Sequence, residues 1–132
     1  MMPLLPVLAA GLVPLIVGSL WYHPSILGSA WMRMKHITPE KAERASRLAA
    51  HSTAVMLVMG MCASFMLFQI MIAFGIESAR EALLTGAGIW LGFVVPATVS
   101  RVLWDHIPLT LYAIEAGQWL VSLCVMAVVL TV

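Results

Sequence analysis

The stretch Ser52–Ile76 reads STAVMLVMGMCASFMLFQIMIAFGI and contains no charged side chain. It is longer than the ~20 residues with which an α-helix crosses a hydrocarbon layer about 30 Å thick. A strand of a membrane barrel needs only ~10 residues of alternating character, so this unbroken stretch predicts a helix. Three further stretches are similarly apolar: residues 4–22, 82–104 and 109–131. Together they predict four transmembrane helices.

The composition agrees with a membrane location. Hydrophobic residues make up 62% of the 132-residue chain, charged residues only 10%, and the mean hydropathy is +1.01. A water-soluble domain would need more polar surface than this to cover itself. The short links near 77–81 and 105–108 predict antiparallel neighbouring helices. The predicted fold is therefore all-α: one domain over 1–132, an integral membrane bundle of four transmembrane helices with up-down topology.

The basic residues predict the orientation in the membrane. Arg101 ends the third span, and Arg80 is the only basic residue predicted on the opposite side. The other five lie between the first and second spans, namely Arg33, Lys35, Lys41, Arg44 and Arg47. Because basic loops stay in the cytoplasm, residues 23–51 are predicted to be cytoplasmic and both termini external. The expected location is the inner membrane of the cell, as a multi-pass protein in contact with the lipid bilayer.

The polar segment 23–51 contains one clear helix start. Thr38 has the side chain of an N-cap, Pro39 suits the first helical position, and Glu40 places an acid in the first turn. We therefore expect an exposed helix over residues 39–50 that continues directly into the second span.

Several function classes lack their sequence signatures. Cys62 and Cys124 are single residues, so no C-x-x-C pair supports thiol-redox chemistry or a zinc site. The sequence has no phosphate-binding loop, no H-E-x-x-H motif and no recognisable Ser/His/Asp set. A net charge of +1 with so few basic residues does not suit nucleic-acid binding. No cofactor, metal or nucleic-acid partner is predicted.

Glu115 is the most informative polar residue, because ionisable groups inside a membrane span are costly and usually functional. It lies about two turns into the fourth span, on the same helical face as Gln118 and Ser122. Arg101, across a short link, is its expected partner. Either a structural ion pair or a carboxylate that binds solute or carries protons fits this pattern. The candidate ligand-path or ion-path residues, including two alternative partners, are Glu115, Arg101, Gln118, His51 and Asp105.

Glycines in the first and third spans, and side chains with sulfur or imidazole groups in the second, recur at helical spacing. Gly88-x-x-x-Gly92 in the third span and Gly11 with Gly18 in the first predict close helix packing. These glycine faces also suggest a homo-oligomer, most simply a dimer. One face of the second span carries thioether, thiol and imidazole groups, which are soft ligands suited to Cu(I). Methionine is also a flexible packing residue, so helix packing is the expected role of this arc of residues. This arc comprises His51, Met59, Cys62, Met66 and Gln69.

One motif resembles a known family. Trp21-Tyr22-His23-Pro24-x-x-x-Gly28-x-x-Trp31-Met32 is similar to the Trp-Tyr-x-Pro…Gly-x-x-Trp-Met motif of a bacterial four-helix membrane family, the domain of unknown function 1761. The similarity continues through Gly88-x-x-x-Gly92, Leu103-Trp104 and Pro108-Leu109. His23 and Glu115 stand where this family commonly has Ser and Asp. The resemblance implies a four-span membrane protein and no particular activity.

Three function classes remain open. The first is a small transporter or channel for a solute, with a path beside Glu115 and possible proton linkage. The second is a non-catalytic accessory or assembly subunit of a larger membrane complex, bound through glycine faces and interfacial aromatic residues. The third is a membrane-embedded enzyme acting on an apolar substrate, with Glu115, Tyr112, His51 or His106 as acid or base. Flux in proteoliposomes would favour the first, and co-purification with a stoichiometric complex the second.

Overall fold

The computed structural model describes residues 3–132, and over this range the chain is helical and has no strand. Four helical segments are long and apolar enough to cross a membrane: Leu4–Trp21, Pro39–Phe74, Ala79–Leu103 and Leu109–Val129. This confirms the predicted all-α fold with four membrane-length helices. The elements in chain order are α1 (Leu4–Trp21), a π-helical turn (Pro24–Gly28), α2 (Ser29–Met34), α3 (Pro39–Phe74), α4 (Ala79–Ile89), a π-helical segment (Trp90–Val94), α5 (Val95–Thr98), α6 (Ser100–Leu103) and α7 (Leu109–Val129).

Helix α3 begins as the capping pattern predicts. The Thr38 hydroxyl accepts a hydrogen bond from the Lys41 backbone N–H at 3.3 Å, and Pro39 occupies the first turn. The helix continues unbroken to Phe74, so residues 39–50 form an exposed extension of the second span. It ends at Gly75, which adopts a left-handed conformation with φ of 63° that suits glycine.

The third span begins earlier than predicted and is irregular. Ser78 and Glu81 form a reciprocal capping box with two 3.3 Å hydrogen bonds, which starts α4 at Ala79 instead of residue 82. Further along, Pro96 has no N–H to donate, and its ring would crowd the carbonyl group of Gly92 in a regular α-helix. The π-helical segment just before this proline accommodates the defect.

The four spans do not close into a ring of helices. Helix α1 packs against both α3 and α7, and α4 packs against α7. Within residues 3–132, α3 and α4 do not pack along their length, although only a short link joins them. The arrangement is therefore open between the second and third spans.

The apolar core lies toward the end of the molecule that carries the α3–α4 link. Gly60 approaches Gly11 so closely that a Cβ on Gly60 would collide with the Gly11 carbonyl oxygen, so the glycines permit close packing of α1 and α3. Ser64 is fully buried beside this contact and donates a 2.7 Å hydrogen bond to the Val7 carbonyl. The core residues are Val7, Ala10, Val13, Leu67, Phe68, Met71, Ala82, Leu123, Met126, Ala127 and Leu130.

Within the monomer, two helix faces that were predicted to pack do not pack. A Cβ on Gly88 or Gly92 would meet no atom within 4 Å in the described chain, so this face does not pack in the monomer. Gly86 packs instead, with its Cβ position 2.8 Å from the Leu123 carbonyl oxygen. The second-span arc from His51 to Gln69 is exposed, because α3 turns a different face, around Ser64, toward α1. A helix presents only one face to each neighbour, and spacing does not specify which.

Candidate functional site

The site begins with the turn that connects α1 to α2. The His23 carbonyl accepts hydrogen bonds from the backbone N–H groups of Ile26 at 2.9 Å and Gly28 at 3.0 Å, and Pro24 suits the first position of this turn. A Cβ on Gly28 would overlap the Tyr22 carbonyl, so the turn requires glycine at this position. The Trp21–Met32 motif therefore forms the turn that sets the direction of α2.

Helix α2 brings two side chains to the Glu115 carboxylate. Trp31 Nε1 donates to Glu115 Oε1 at 3.2 Å, and Lys35 Nζ lies 3.4 Å from the same oxygen. The Arg101 guanidinium pairs with the other oxygen, Oε2. The Glu115 side chain is only 16% exposed. The free-energy cost of burying its charge is offset by the three groups that donate to it, two from the α2 region and one from α6.

The cluster around Glu115 carries a net positive charge. One carboxylate faces two cations, and the side chains of Arg101 and Lys35 remain 39% and 36% exposed. Lys35 Nζ also lies 4.7 Å from the centre of the Trp31 ring, within the range of a cation–π interaction. Tyr22 packs beside this ring, with the two centroids 5.1 Å apart and tilted by 54°. The surplus cation is therefore accessible and available to an anionic group.

Two neighbouring cavities adjoin this cluster. The first has a volume of about 190 Å³ and contains the Thr98–Tyr112 hydroxyl pair, whose oxygens are 3.2 Å apart. Its lining residues are Tyr22, Val94, Thr98, Arg101, Tyr112, Glu115, Ala116 and Trp119. The second has a volume of about 500 Å³, and its lining residues are Pro14, Leu15, Gly18, Ser19, Tyr22, Met56, Gln118 and Trp119. The two cavities share Tyr22 and Trp119.

Two indole groups hold α7 on either side of Glu115. Trp21 Nε1 donates to the Ile114 carbonyl at 2.9 Å, and Trp90 Nε1 donates to the Ala116 carbonyl at 2.7 Å. Gly117 lets Trp21 approach, since a Cβ there would lie 3.2 Å from its ring. Donors from the first and third spans thus fix the segment of α7 that presents the carboxylate.

The structure brings some of the predicted site residues together and separates others. Arg101 contacts Glu115, as expected from the short link. Gln118 is buried in the adjoining cavity, where its Nε2 lies 3.0 Å from Ser122 Oγ. His51 lies exposed on the outer face of α3, and Asp105 is exposed in the link after α6, so neither alternative partner reaches the carboxylate. Among residues 3–132, no three His, Cys, Asp or Glu side chains group to hold a metal ion.

Sequence reasoning missed Lys35 and assigned Trp31 only to a motif. Lys35 served only to predict the orientation of the chain, whereas the structure places it against Glu115. A local signal was present: Trp31 and Lys35 are four residues apart, so they share one face of α2. Their common target could not be read from spacing, because it depends on the path of the intervening turn.

The four membrane-length helices and the charged cluster at one end define a small polytopic membrane protein. Residues 5–131 match the family described as protein of unknown function (DUF1761), and the chain belongs to this family. The resemblance in the Trp21–Met32 motif is thereby confirmed at the level of the family. The chain matches no curated protein and no solved structure at a significant level.

Proposed function

We propose that this protein is a small transporter whose solute carries an anionic group that binds beside Glu115. The observation that carries the proposal is a charged cluster at a partly open cavity: Arg101 and Glu115 line the cavity, and Lys35, outside its lining, adds a second cation to the same carboxylate. An ionised side chain within a membrane-spanning segment, such as Glu115, typically marks a solute or ion path. The hydroxyl groups of Tyr112 and Thr98 in the same cavity can orient a polar solute.

The second cavity provides a continuation of this path. It adjoins the first at Tyr22 and Trp119 and is lined by Gln118 and by apolar side chains. Beyond it, the tightly packed core around Met126 closes the other half of the molecule. A transport cycle therefore requires that half to open while the charged end closes, which is the principle of alternating access.

Glu115 supplies a coupling step in this proposal. The solute anion displaces the carboxylate from Arg101, and a carboxylate that has lost a cationic partner binds a proton more readily. Solute and proton then move together, and the return of Glu115 to Arg101 expels both. Entry of a monoanion together with one proton leaves the net charge of the cluster unchanged.

The test is uptake of two labelled anions that cross protein-free bilayers slowly, succinate and ethanesulfonate, into proteoliposomes. We expect saturable uptake by the wild type and its loss in Arg101→Gln. The matched control is Arg80→Gln, at the opposite end of the third span, which removes the same charge from an exposed position. Uptake of both anions that does not exceed that of empty liposomes, or uptake unaffected by Arg101→Gln, would overturn the proposal.

A second candidate function, that of an assembly subunit or homo-oligomer, is favoured by a different observation. The third span is poorly covered: 11% of its apolar window is buried, against 44% for the fourth span. Gly88 and Gly92 lie exposed on this span, where a helix of a second protein can approach closely.

Co-elution of the solubilised protein with a stoichiometric partner, or its elution as a dimer that Gly88→Leu dissociates, would support this alternative. A monomer by mass after mild extraction would exclude the dimer.

A further inference from the structure

A separate groove lies between α2 and the beginning of α3. It has a volume of about 520 Å³ and combines two lysines with an otherwise mainly apolar lining. Its lining residues are Trp31, Met32, Lys35, Ile37, Lys41, Ala42 and Ala45. The lining comes from α2, the link that follows it and the first turns of α3, and Lys35 is the one lining residue that also contacts Glu115 through its charge.

We infer that this groove binds one anionic phospholipid, with the headgroup phosphate between Lys35 and Lys41 and an acyl chain against Met32 and Ile37. The combination of two ammonium groups with an apolar floor is complementary to an anionic amphiphile. A free phosphate would satisfy only the lysines and leave the floor in water, which favours the lipid.

The surroundings of the groove indicate contact with lipid. Met32, which lines the groove, is exposed, and so are Ile26 in the turn that precedes α2 and Leu48, three residues beyond the lining residue Ala45 in α3. Apolar side chains interspersed with basic ones are typical of surfaces that lie in the headgroup layer of a membrane. An anionic lipid is therefore available at the position where the groove opens.

The groove is linked to the Glu115 site through one shared residue. Lys35 lines the groove, and its Nζ lies 3.4 Å from Glu115 Oε1. A phosphate that draws Lys35 toward the groove leaves Glu115 with Arg101 and Trp31 only. Because coupling between two binding events is reciprocal, weakening the Lys35–Glu115 pair must strengthen lipid binding. This inference rests on the position of Lys35 and stands whether or not the protein transports a solute.

The experiment is native mass spectrometry of the detergent-solubilised protein titrated with phosphatidylglycerol, with phosphatidylcholine, whose zwitterionic headgroup has no net charge, as the comparison. We expect one phosphatidylglycerol per chain to bind saturably and in preference to phosphatidylcholine. Lys41→Ala should weaken this binding about fivefold, since a lysine near an anionic headgroup contributes ~1 kcal/mol. The matched control Arg44→Ala removes one charge from the same helix without touching the groove lining.

The coupling is tested by a charge-matched pair of variants. Glu115→Gln frees Lys35 and should tighten phosphatidylglycerol binding, whereas Glu43→Gln removes the same charge from the exposed face of α3 and should tighten it less. Lys41→Ala leaves the Glu115 cluster intact, so a loss of binding in this variant cannot be ascribed to misfolding of that cluster.

Three results would overturn the inference. Equal weakening by Arg44→Ala and Lys41→Ala would indicate diffuse attraction to the basic segment. Equal affinity for phosphatidylcholine would indicate a lipid site without selectivity for an anionic headgroup. Displacement of the lipid by millimolar inorganic phosphate would indicate a free-anion site.

Discussion

Lys35 at the C-cap of α2 and Glu115 in α7 form an ion pair across one end of the bundle, with Nζ 3.4 Å from Oε1. Arg101 binds the other carboxylate oxygen, so Glu115 is the common partner of two cations that have no other acidic contact within residues 3–132. The three members of this cluster are therefore not equivalent, and their removal should have unequal effects.

Glu115→Ala should destabilise the protein more than either Arg101→Ala or Lys35→Ala. Loss of the carboxylate leaves two cations unpaired, and we expect a cost of about 2 kcal/mol. Loss of one cation leaves Glu115 with the other, at a cost of about 1 kcal/mol or less because both cations are partly exposed. Thermal unfolding in detergent measures the difference. An Arg101→Ala variant less stable than Glu115→Ala would contradict this description of the cluster.

Glu115→Gln separates the structural role of this side chain from its proposed role in proton coupling. The amide keeps the shape and can still accept the hydrogen bond from Trp31, so the variant should fold with most of its stability. It cannot take up a proton, so any solute uptake should continue without accompanying proton movement. A pH-sensitive dye inside proteoliposomes, read together with labelled solute, measures both. Unchanged proton movement in Glu115→Gln would exclude the carboxylate as the carrier.

The features that were predicted from the sequence are those with local causes. Four apolar stretches of sufficient length predict four helices, and the cap at Thr38 predicts where α3 begins, because both depend on residues close in the chain. The Arg101–Glu115 contact was predicted because a short link leaves little freedom between the helices that carry the two residues.

The features that were missed depend on how helices face each other. Gly86 and Gly88 are two residues apart and lie on different faces, and only the tertiary packing determines that Gly86 meets α7. Trp31 and Lys35 reach Glu115 because a π-helical turn redirects the chain, and nothing in their spacing specifies this turn. Residues close in the chain determine whether a segment forms a helix, whereas its neighbours in the fold determine which face it buries.

Gly28→Ala should disrupt the turn that positions α2. The added Cβ would collide with the Tyr22 carbonyl, a backbone atom that cannot move without shifting α1. We expect a loss of about 1–3 kcal/mol, the usual cost of overpacking, together with loss of the Trp31–Glu115 contact. Thermal unfolding reports the first effect. The fluorescence lost on Trp31→Phe, compared between the wild type and Gly28→Ala, reports the second and leaves Trp21 and Trp90 in place on α7.

The control for this prediction is Gly88→Ala, in a helix and with nothing within 4 Å of the added Cβ. It should be neutral or stabilising by up to ~1 kcal/mol, because alanine favours helix more than glycine does. Equal melting temperatures for the two alanine variants would show that the turn tolerates a side chain at Gly28.

His106→Gly should stabilise the link between the third and fourth spans. His106 has a φ of 53°, in the left-handed region where a Cβ is costly by ~1 kcal/mol or more. Glycine adopts this conformation freely but gains flexibility when unfolded, so we expect a net increase of a few tenths of a kcal/mol. His23→Gly is the matched control: His23 has a φ of −64° and its ring accepts a hydrogen bond from Ser25 N–H, so this variant should lose stability. A lower melting temperature for His106→Gly would contradict the prediction.

Single-cysteine labelling tests the orientation predicted from the basic residues. The background has Cys62 and Cys124 replaced by alanine. In it, Lys41→Cys places a thiol in the exposed extension of α3. Ala79→Cys places a thiol at the start of α4, near the opposite end of the bundle. Because basic segments stay in the cytoplasm, a membrane-impermeant maleimide should label position 79 in intact cells and position 41 only after the cells are opened. Both positions are at helix ends and exposed, so differences in labelling report side and not burial. Labelling of position 41 from outside intact cells would reverse the orientation and place the Glu115 cluster on the external side.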